Sequence, residues 1–207
     1  MASLLNREVV VASHNPGKVI EIQTLLVPHA VRISSAIKFD LAEPDETGTT
    51  FAANARLKAV AARDSTGLTA IADDSGLVVP ALGGAPGIYS ARWAGPSKNF
   101  SMAIERLKKE LGAKNPSAHF ICALAVAWPE GPCELFEGRV FGTLIFPPRG
   151  QNGFGYDPIF RPRGSEQTFA EMQPAQKEQI SHRKNAFSKL SKRCFGMEPK
   201  AKTFKSS

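Results

Sequence analysis

Apolar positions along the chain fall in short blocks whose period changes several times. Residues 8–13 (Glu-Val-Val-Val-Ala-Ser) are continuous and β-branched, the pattern of a strand buried on both faces. Asn15-Pro16-Gly17-Lys18 follows, with Asn suited to cap a helix and Pro to its first position. Ile20, Ile22, Leu25 and Leu26 then recur near helical spacing as far as Pro28, so the chain opens strand, loop, helix. Residues 39–48 are acidic and loop-like. Residues 50–64 are alanine-rich, with Phe51, Leu57 and Ala61 on a helical stripe. Residues 69–72 predict a short strand that ends in Asp73-Asp74-Ser75-Gly76. After a Gly/Pro loop at 83–87, residues 97–111 form an amphipathic helical pattern that stops at Gly112. Residues 118–128 and 135–146 predict long strands joined by Pro129-Glu130-Gly131-Pro132, an antiparallel hairpin. Residues 151–158 are a second glycine-rich loop, and residues 181–194 predict a last helix. The fold class expected is α/β: a long mixed sheet, partly antiparallel, with flanking helices and two lobes around a central cleft.

Length and composition narrow the classes. The 207 residues suffice for one large domain over 1–207, or two lobes sharing one core, not for two full domains. A hydrophobic share of 43% and a charged share of 22% exclude a disordered or fibrous chain. Apolar runs such as 9–12 and 121–128 fall short of the ~20 residues that cross a bilayer as a helix. The first residues show neither a basic n-region nor a long apolar h-region, so no signal peptide and a cytoplasmic location are expected. The cysteines, Cys122, Cys133 and Cys194, are irregularly spaced and match no metal-ligand pattern, which suits reduced thiols, with Cys122 as packing. A net charge of +7 admits either a nucleic-acid track or a site for a small polyanion. The basic residues, dense in the tail at about 196–207, do not interleave with an aromatic platform, and the motifs below favour the small anion and no specific nucleic acid.

Chemistry-bearing residues gather at four places. Ser13-His14-Asn15-Pro16-Gly17-Lys18 joins a strand end to a helix start, where free N–H groups, the helix dipole and the Lys18 charge suit phosphate; it also reads as an ordinary turn. Asp73 and Asp74 point to opposite sides of their strand. Carboxylates with room for water suit Mg²⁺, which takes one or two of them together with substrate phosphate. Asp-Ser-Gly is equally an ordinary turn. Asp45 and Glu46, with Glu43, are a further source of acid. Phe154-Gly155-Tyr156-Asp157 offers aromatic faces to a base and a carboxylate. Lys177 with Ser181-His182-Arg183 offers cations and a carbonyl donor, with His182 otherwise a residue on a helix surface.

These four places, in this order, resemble the inosine triphosphate pyrophosphatase family. The resemblance rests on residues 9–18, the Glu-Thr-Gly helix start at 46–55, the long stretch 73–92 (DDSGLVVPALGGAPGIYSAR), and the closing stretches 153–160 and 180–183. It implies a homodimeric enzyme that cuts ITP, dITP or XTP between the α- and β-phosphates, releasing pyrophosphate and cleansing the nucleotide pool. It implies Asp74 as general base and metal ligand, with Asp45 or Glu46 as second ligand. Ser13 to Lys18 would line the triphosphate and Ser75 would contact substrate. Phe154 to Asp157, Lys177, His182 and Arg183 would hold base and sugar. Two positions depart from the family pattern: Ser13 stands for the usual Thr, and Ala53 for a Glu in Phe-x-Glu-Asn-Ala. A pyrophosphatase for pyrimidine or modified nucleotides and a non-enzymatic nucleic-acid binder are the rival readings.

Overall fold

The computed structural model describes residue 4, residues 7–29 and residues 31–196. The basic tail expected at about 196–207 lies, after residue 196, outside them. In chain order the elements are β1 (Glu8–Val11), α1 (Pro16–Leu26), β2 (Arg32–Ser35), α2 (Phe51–Thr66), β3 (Thr69–Val78), α3 (Phe100–Leu111), β4 (Ser117–Ala127), β5 (Cys133–Leu144), β6 (Phe160–Pro162), α4 (Pro174–Ile180) and α5 (His182–Phe195). The strands form one mixed sheet in the order β2-β1-β3-β4-β5-β6. β1 runs parallel to β2 and β3, while β3, β4, β5 and β6 alternate in direction.

The helix starts follow from their caps. Asn15 Oδ1 accepts the Gly17 and Lys18 N–H groups at 3.0 and 3.3 Å, with Pro16 at the first helical position. Thr50 Oγ1 accepts the Ala53 N–H at 3.1 Å. Ser181 Oγ accepts the Lys184 N–H at 3.1 Å. α2 closes at Gly67, whose left-handed backbone (φ 69°) no β-branched residue would tolerate cheaply.

The strand expected at 69–72 runs on to Val78, so Asp73 and Asp74 sit in mid-strand and not at a strand end or in a turn. Turn-forming residue types lose here to ladder pairing: β3 is held by β4 from Ala70↔Ala127 to Val78↔His119, with Asp73 opposite Leu124 and Asp74 opposite Ala123. Three elements carried no periodic signal: β2, α4 and the three-residue β6. β2 (Arg-Ile-Ser-Ser) is a short edge strand. α4 starts at Pro174 but buries only Lys177, so it has no apolar stripe.

Side-chain alternation sorts the sheet into separate cores. Val9, Val11, Ile71, Leu124 and Val126 pack with Ile22, Leu25 and Leu26 of α1 and Phe187 and Leu190 of α5. The opposite face is largely alanine: Ala70, Ala72, Ala123 and Ala125 meet Ala55 and Ala59, which brings α2 close to the sheet. Further along the same strands, Leu77, Phe120 and Leu144 enter a third core with Ile104 and Leu107 of α3, Phe160 and Phe169. The long strands thus pass from one lobe to the other, and Asp73–Ser75 lies at the crossing. α5 reaches this crossing because Gly138 lacks a side chain: a Cβ there would collide with backbone of His182 and Ala186. Among the described residues no helix is long and apolar enough to cross a membrane.

Ala53 is the exposed N3 residue of α2, and its N–H already completes half of a capping box with Thr50. Ala53→Glu supplies the reciprocal carboxylate and is expected to raise stability by about 0.5–1 kcal/mol, read by thermal unfolding. No gain would show that the family carboxylate serves something other than the cap.

Candidate functional site

A cleft of about 410 Å³ opens at the crossing of the lobes. Of the residues expected from the sequence, Ser13, Asn15, Lys18, Asp45, Glu46, Asp74, Ser75, Phe154, Gly155, Tyr156, Asp157, Lys177 and His182 line it. His14, Pro16, Gly17 and Arg183 do not.

The two adjacent aspartates face opposite sides of the sheet, and each meets its own cations. Asp73, fully buried, lies 2.8 Å from Lys18 Nζ and 2.8 Å from Arg183 Nη2. Burial alone would push its carboxyl up, but Arg183, Lys18 and Lys58 together hold it well below the usual aspartate range. Asp74 meets α2. Lys58 Nζ lies 3.3 Å from its Oδ1, and Asn54 Nδ2 donates to its Oδ2 at 3.3 Å. Here burial wins, and despite Lys58 and Lys18 the Asp74 carboxyl is raised above its ordinary value. Lys58 also holds Glu46, at 2.6 Å. Although burial acts against its charge, Asp74, Asp73 and Glu46 leave the Lys58 pKa raised, so the ammonium stays charged.

A second set of pairs fixes the aromatic part of the cleft. Arg183 pairs with Glu21 of α1. Lys177 lies 3.1 Å from Glu21 and 2.7 Å from Asp157, over the Phe154 ring at 4.9 Å. Asp157 also accepts the Phe154 N–H at 2.9 Å, which closes the glycine-rich turn. Tyr156 donates its hydroxyl to Ser90 O at 3.0 Å and meets Phe100 edge-on. His182 stacks on Phe120 with ring centroids 4.9 Å apart and 15° between planes. Its Nδ1 is buried without a hydrogen-bond partner among the described residues. Burial, with Arg183 and Lys177 nearby, drives its pKa well below the usual histidine value, so it is a neutral imidazole at pH 7.

The family model described as Ham1 family matches residues 9–193. The chain belongs to the Ham1 family. A relative from Rhodospirillum centenum, named dITP/XTP pyrophosphatase, is 57% identical over 190 residues, covering 90% of this chain and 94% of that one. A Bradyrhizobium relative of the same name is 55% identical over 203 residues, covering 92% and 95%. The solved HAM1 protein of Coxiella burnetii superposes with a TM-score of 0.85 at 38% identity, covering 92% of this chain and 100% of that one. The expected family and the two-lobed mixed sheet are therefore those of the molecule.

Within this Ham1 chain, Arg183 does not line the cleft. It is 1% exposed, and its donors meet Asp73, Ser75 and Glu21, so it orients β3 and α1 from behind the cleft. His14 turns the other way, with Nε2 2.8 Å from Leu41 O. Gly17 matters through its missing side chain: a Cβ would lie 2.7 Å from the Phe154 ring, so the loop at 13–18 and the aromatic loop are in contact. Of the two acids beside α2, Glu46 shares Lys58 with Asp74, while Asp45 lines the cleft without an ion pair among the described residues. Sequence reasoning missed Lys58, Asn54 and Glu21, which look like ordinary helix-surface residues. The available signal was their spacing: Asn54 and Lys58 stand one turn apart on a helix whose neighbours are small, so both reach the same carboxylate.

Two expected outcomes follow from this burial. Arg183→Met leaves Asp73 with Lys18 as its main counter-charge, and removing one partner of a buried pair should cost about 3–5 kcal/mol in denaturant unfolding; adding Asp73→Leu should cost less than the two single changes summed. A loss below about 1 kcal/mol would show that the pair carries little. The folded chain keeps His182 neutral, whereas the unfolded chain takes up its proton near pH 6.5, so stability is present above that pH and declines below it. Between pH 6.5 and pH 5 the parent should lose up to about 2 kcal/mol more than His182→Gln. Parallel pH profiles would remove the neutral-imidazole assignment.

Proposed function

We propose that the protein hydrolyses non-standard purine nucleoside triphosphates (ITP, dITP and XTP) to the monophosphate and pyrophosphate, as the names of its relatives suggest. The observation that carries this reading is one cleft lined by two kinds of chemistry. Lys18, Lys58, Asp74 and Glu46 suit a triphosphate with its cation. Phe154, Tyr156, Lys177 and His182 suit a base. The reading takes residues 1–207 as one catalytic unit, a cytoplasmic homodimer.

A divalent cation, Mg²⁺ in this reading, fits the Asp74 and Glu46 carboxylates, because both already face a single positive group, the Lys58 ammonium. Among the described residues no three or more His, Cys, Asp or Glu side chains converge as a metal cage. That suits Mg²⁺, which keeps waters and takes substrate phosphate oxygens beside one or two carboxylates. When bound, the cation supplies charge that offsets the phosphates.

The chain's own residues supply the rest. Asp74, with Asn54 fixing its Oδ2, orients a water toward the α-phosphorus and accepts its proton. Lys18 adds charge at the start of α1, where the Asn15-capped N–H groups also favour an anion. Phosphoryl transfer needs such positioning and charge more than covalent help. The neutral His182 imidazole can present an N–H to a 6-oxo group. Adenine would set its amino group against that donor, and an unpaired buried donor discriminates strongly.

With dITP or ITP and Mg²⁺ the expected products are the monophosphate and pyrophosphate. Release of the diphosphate and inorganic phosphate would overturn the reaction type, and a preference for pyrimidine nucleotides in the same panel would overturn the base. Asp74→Asn should lower kcat by about two to four decades in a folded protein. Activity within threefold of the parent would remove Asp74 from the chemistry.

A further inference from the structure

Lys58 stands where the cation of the proposed site would stand. Its ammonium lies 2.6 Å from Glu46 Oε1 and 3.3 Å from Asp74 Oδ1, and only 7% of its side chain is exposed. The two carboxylates come from separate elements, the acidic loop and β3, so one positive group draws them together. The place is built for the purpose: Asn54, one turn earlier on α2, donates to Asp74 Oδ2 at 3.3 Å and accepts the Gly48 N–H at 2.8 Å. Arg92 Nη2 reaches Glu46 from the far side, 3.5 Å from Oε2. A second cation entering between these carboxylates would meet the ammonium at contact distance, and in a mostly buried setting that repulsion is weakly screened. Lysine has a flexible four-carbon stem, and Lys58 also lines the open cleft, so its charge can leave this place without leaving the site.

We propose that Lys58 is an internal counter-ion that holds the cation place between Asp74 and Glu46 in the free protein and moves to the phosphates of an arriving nucleotide, so that divalent cation and triphosphate enter together. This rests on the reading of Asp74 and Glu46 as cation ligands. It assigns to a single residue the coupling between two ligands: the phosphates give Lys58 a new partner, and its departure gives the cation two free carboxylates. Neither ligand alone gains both. Without nucleotide the cation must displace an ion-paired lysine into solvent; without cation the nucleotide must draw Lys58 away and leave two carboxylates facing each other. The coupling is reciprocal, so whatever the nucleotide does for cation affinity the cation does for nucleotide affinity.

The test uses the full chain without nucleotide and Mn²⁺ as the probe, with the free aqua ion counted by electron paramagnetic resonance. Lys58→Met and Lys58→Gln should bind Mn²⁺ at least tenfold more tightly than the parent, while Lys58→Arg stays within threefold of it. Adding Asp74→Asn to Lys58→Met should abolish the gain. Equal Mn²⁺ affinity in the parent and a folded neutral variant overturns the proposal, as does a gain that survives Asp74→Asn. A second measurement needs no neutral variant. The Lys58 ¹⁵Nζ resonance of the parent should shift when Mg²⁺ and a non-hydrolysable α,β-imido analogue of dITP are added together, and an unmoved resonance in the saturated complex overturns the proposal. The two readings fail separately. A Mn²⁺ gain in a chain that releases no pyrophosphate from dITP removes the substrate assignment and keeps the counter-ion. Pyrophosphate release without the gain removes the counter-ion alone.

Discussion

Two adjacent carboxylates in the middle of a buried strand cannot share one cation, because successive side chains leave the strand on opposite faces. Asp73 and Asp74 are both more than nine-tenths shielded from solvent, and each therefore needs its own positive partner on its own side of the sheet. Left unpaired, either would be among the costliest groups the fold could bury. Much of the site's architecture answers this requirement. Asp73 draws Lys18 from the start of α1 and Arg183 from the start of α5 to one face, and Asp74 draws Lys58 and Asn54 of α2 to the other. Three helices converge on one short stretch of β3, where the long strands leave the inner cores for the outer one.

The two faces are balanced differently, and the difference has a chemical meaning. Asp73 has two close cations and a depressed pKa, so it is a fixed negative charge and an organiser. Asp74 has one cation, shared with Glu46, and burial leaves its carboxyl more basic than usual. A carboxylate of the first kind holds a structure together; one of the second kind can take a proton or a metal. The division of labour arises from which neighbours each face offers, since the two side chains are chemically identical.

Ion pairs extend the order from β3 into the loops. Asp73 holds Arg183, Arg183 meets Glu21, Glu21 meets Lys177, and Lys177 meets Asp157, which pins the turn carrying Phe154. The Phe154 ring in turn lies against Gly17 at the start of α1. The cleft wall carrying Phe154 and the wall at the start of α1 are thus joined by a closed circuit of contacts, mostly buried and mostly charged. Groups held this way are oriented before any ligand arrives, which is the condition for electrostatic stabilisation in a polar reaction.

Local physics made much of this legible in the amino-acid sequence. Continuous β-branched residues marked β1, the Asn15 cap marked the start of α1, the alanine-rich stripe over 50–64 marked α2, and the Pro-Glu-Gly-Pro turn marked the hairpin of β4 and β5; each depends on neighbours a few residues away. The order of the four polar stretches pointed to the family and to most residues that line the cleft. Other features were decided by contacts across the chain. Asp-Asp-Ser-Gly reads locally as a turn, and only the β4 ladder, some fifty residues later at Ala123 and Leu124, keeps it in a strand. Lys58, Asn54 and Glu21 resemble surface residues until the alanine face of the sheet brings α2 near and Gly138 admits α5. Arg183 reads locally as a cation at a helix start, and its pairing with Asp73, Ser75 and Glu21 is set by where α5 crosses the sheet. Charge and hydrogen-bonding capacity belong to the residue, but the partner that uses them is selected by packing between elements far apart in the chain.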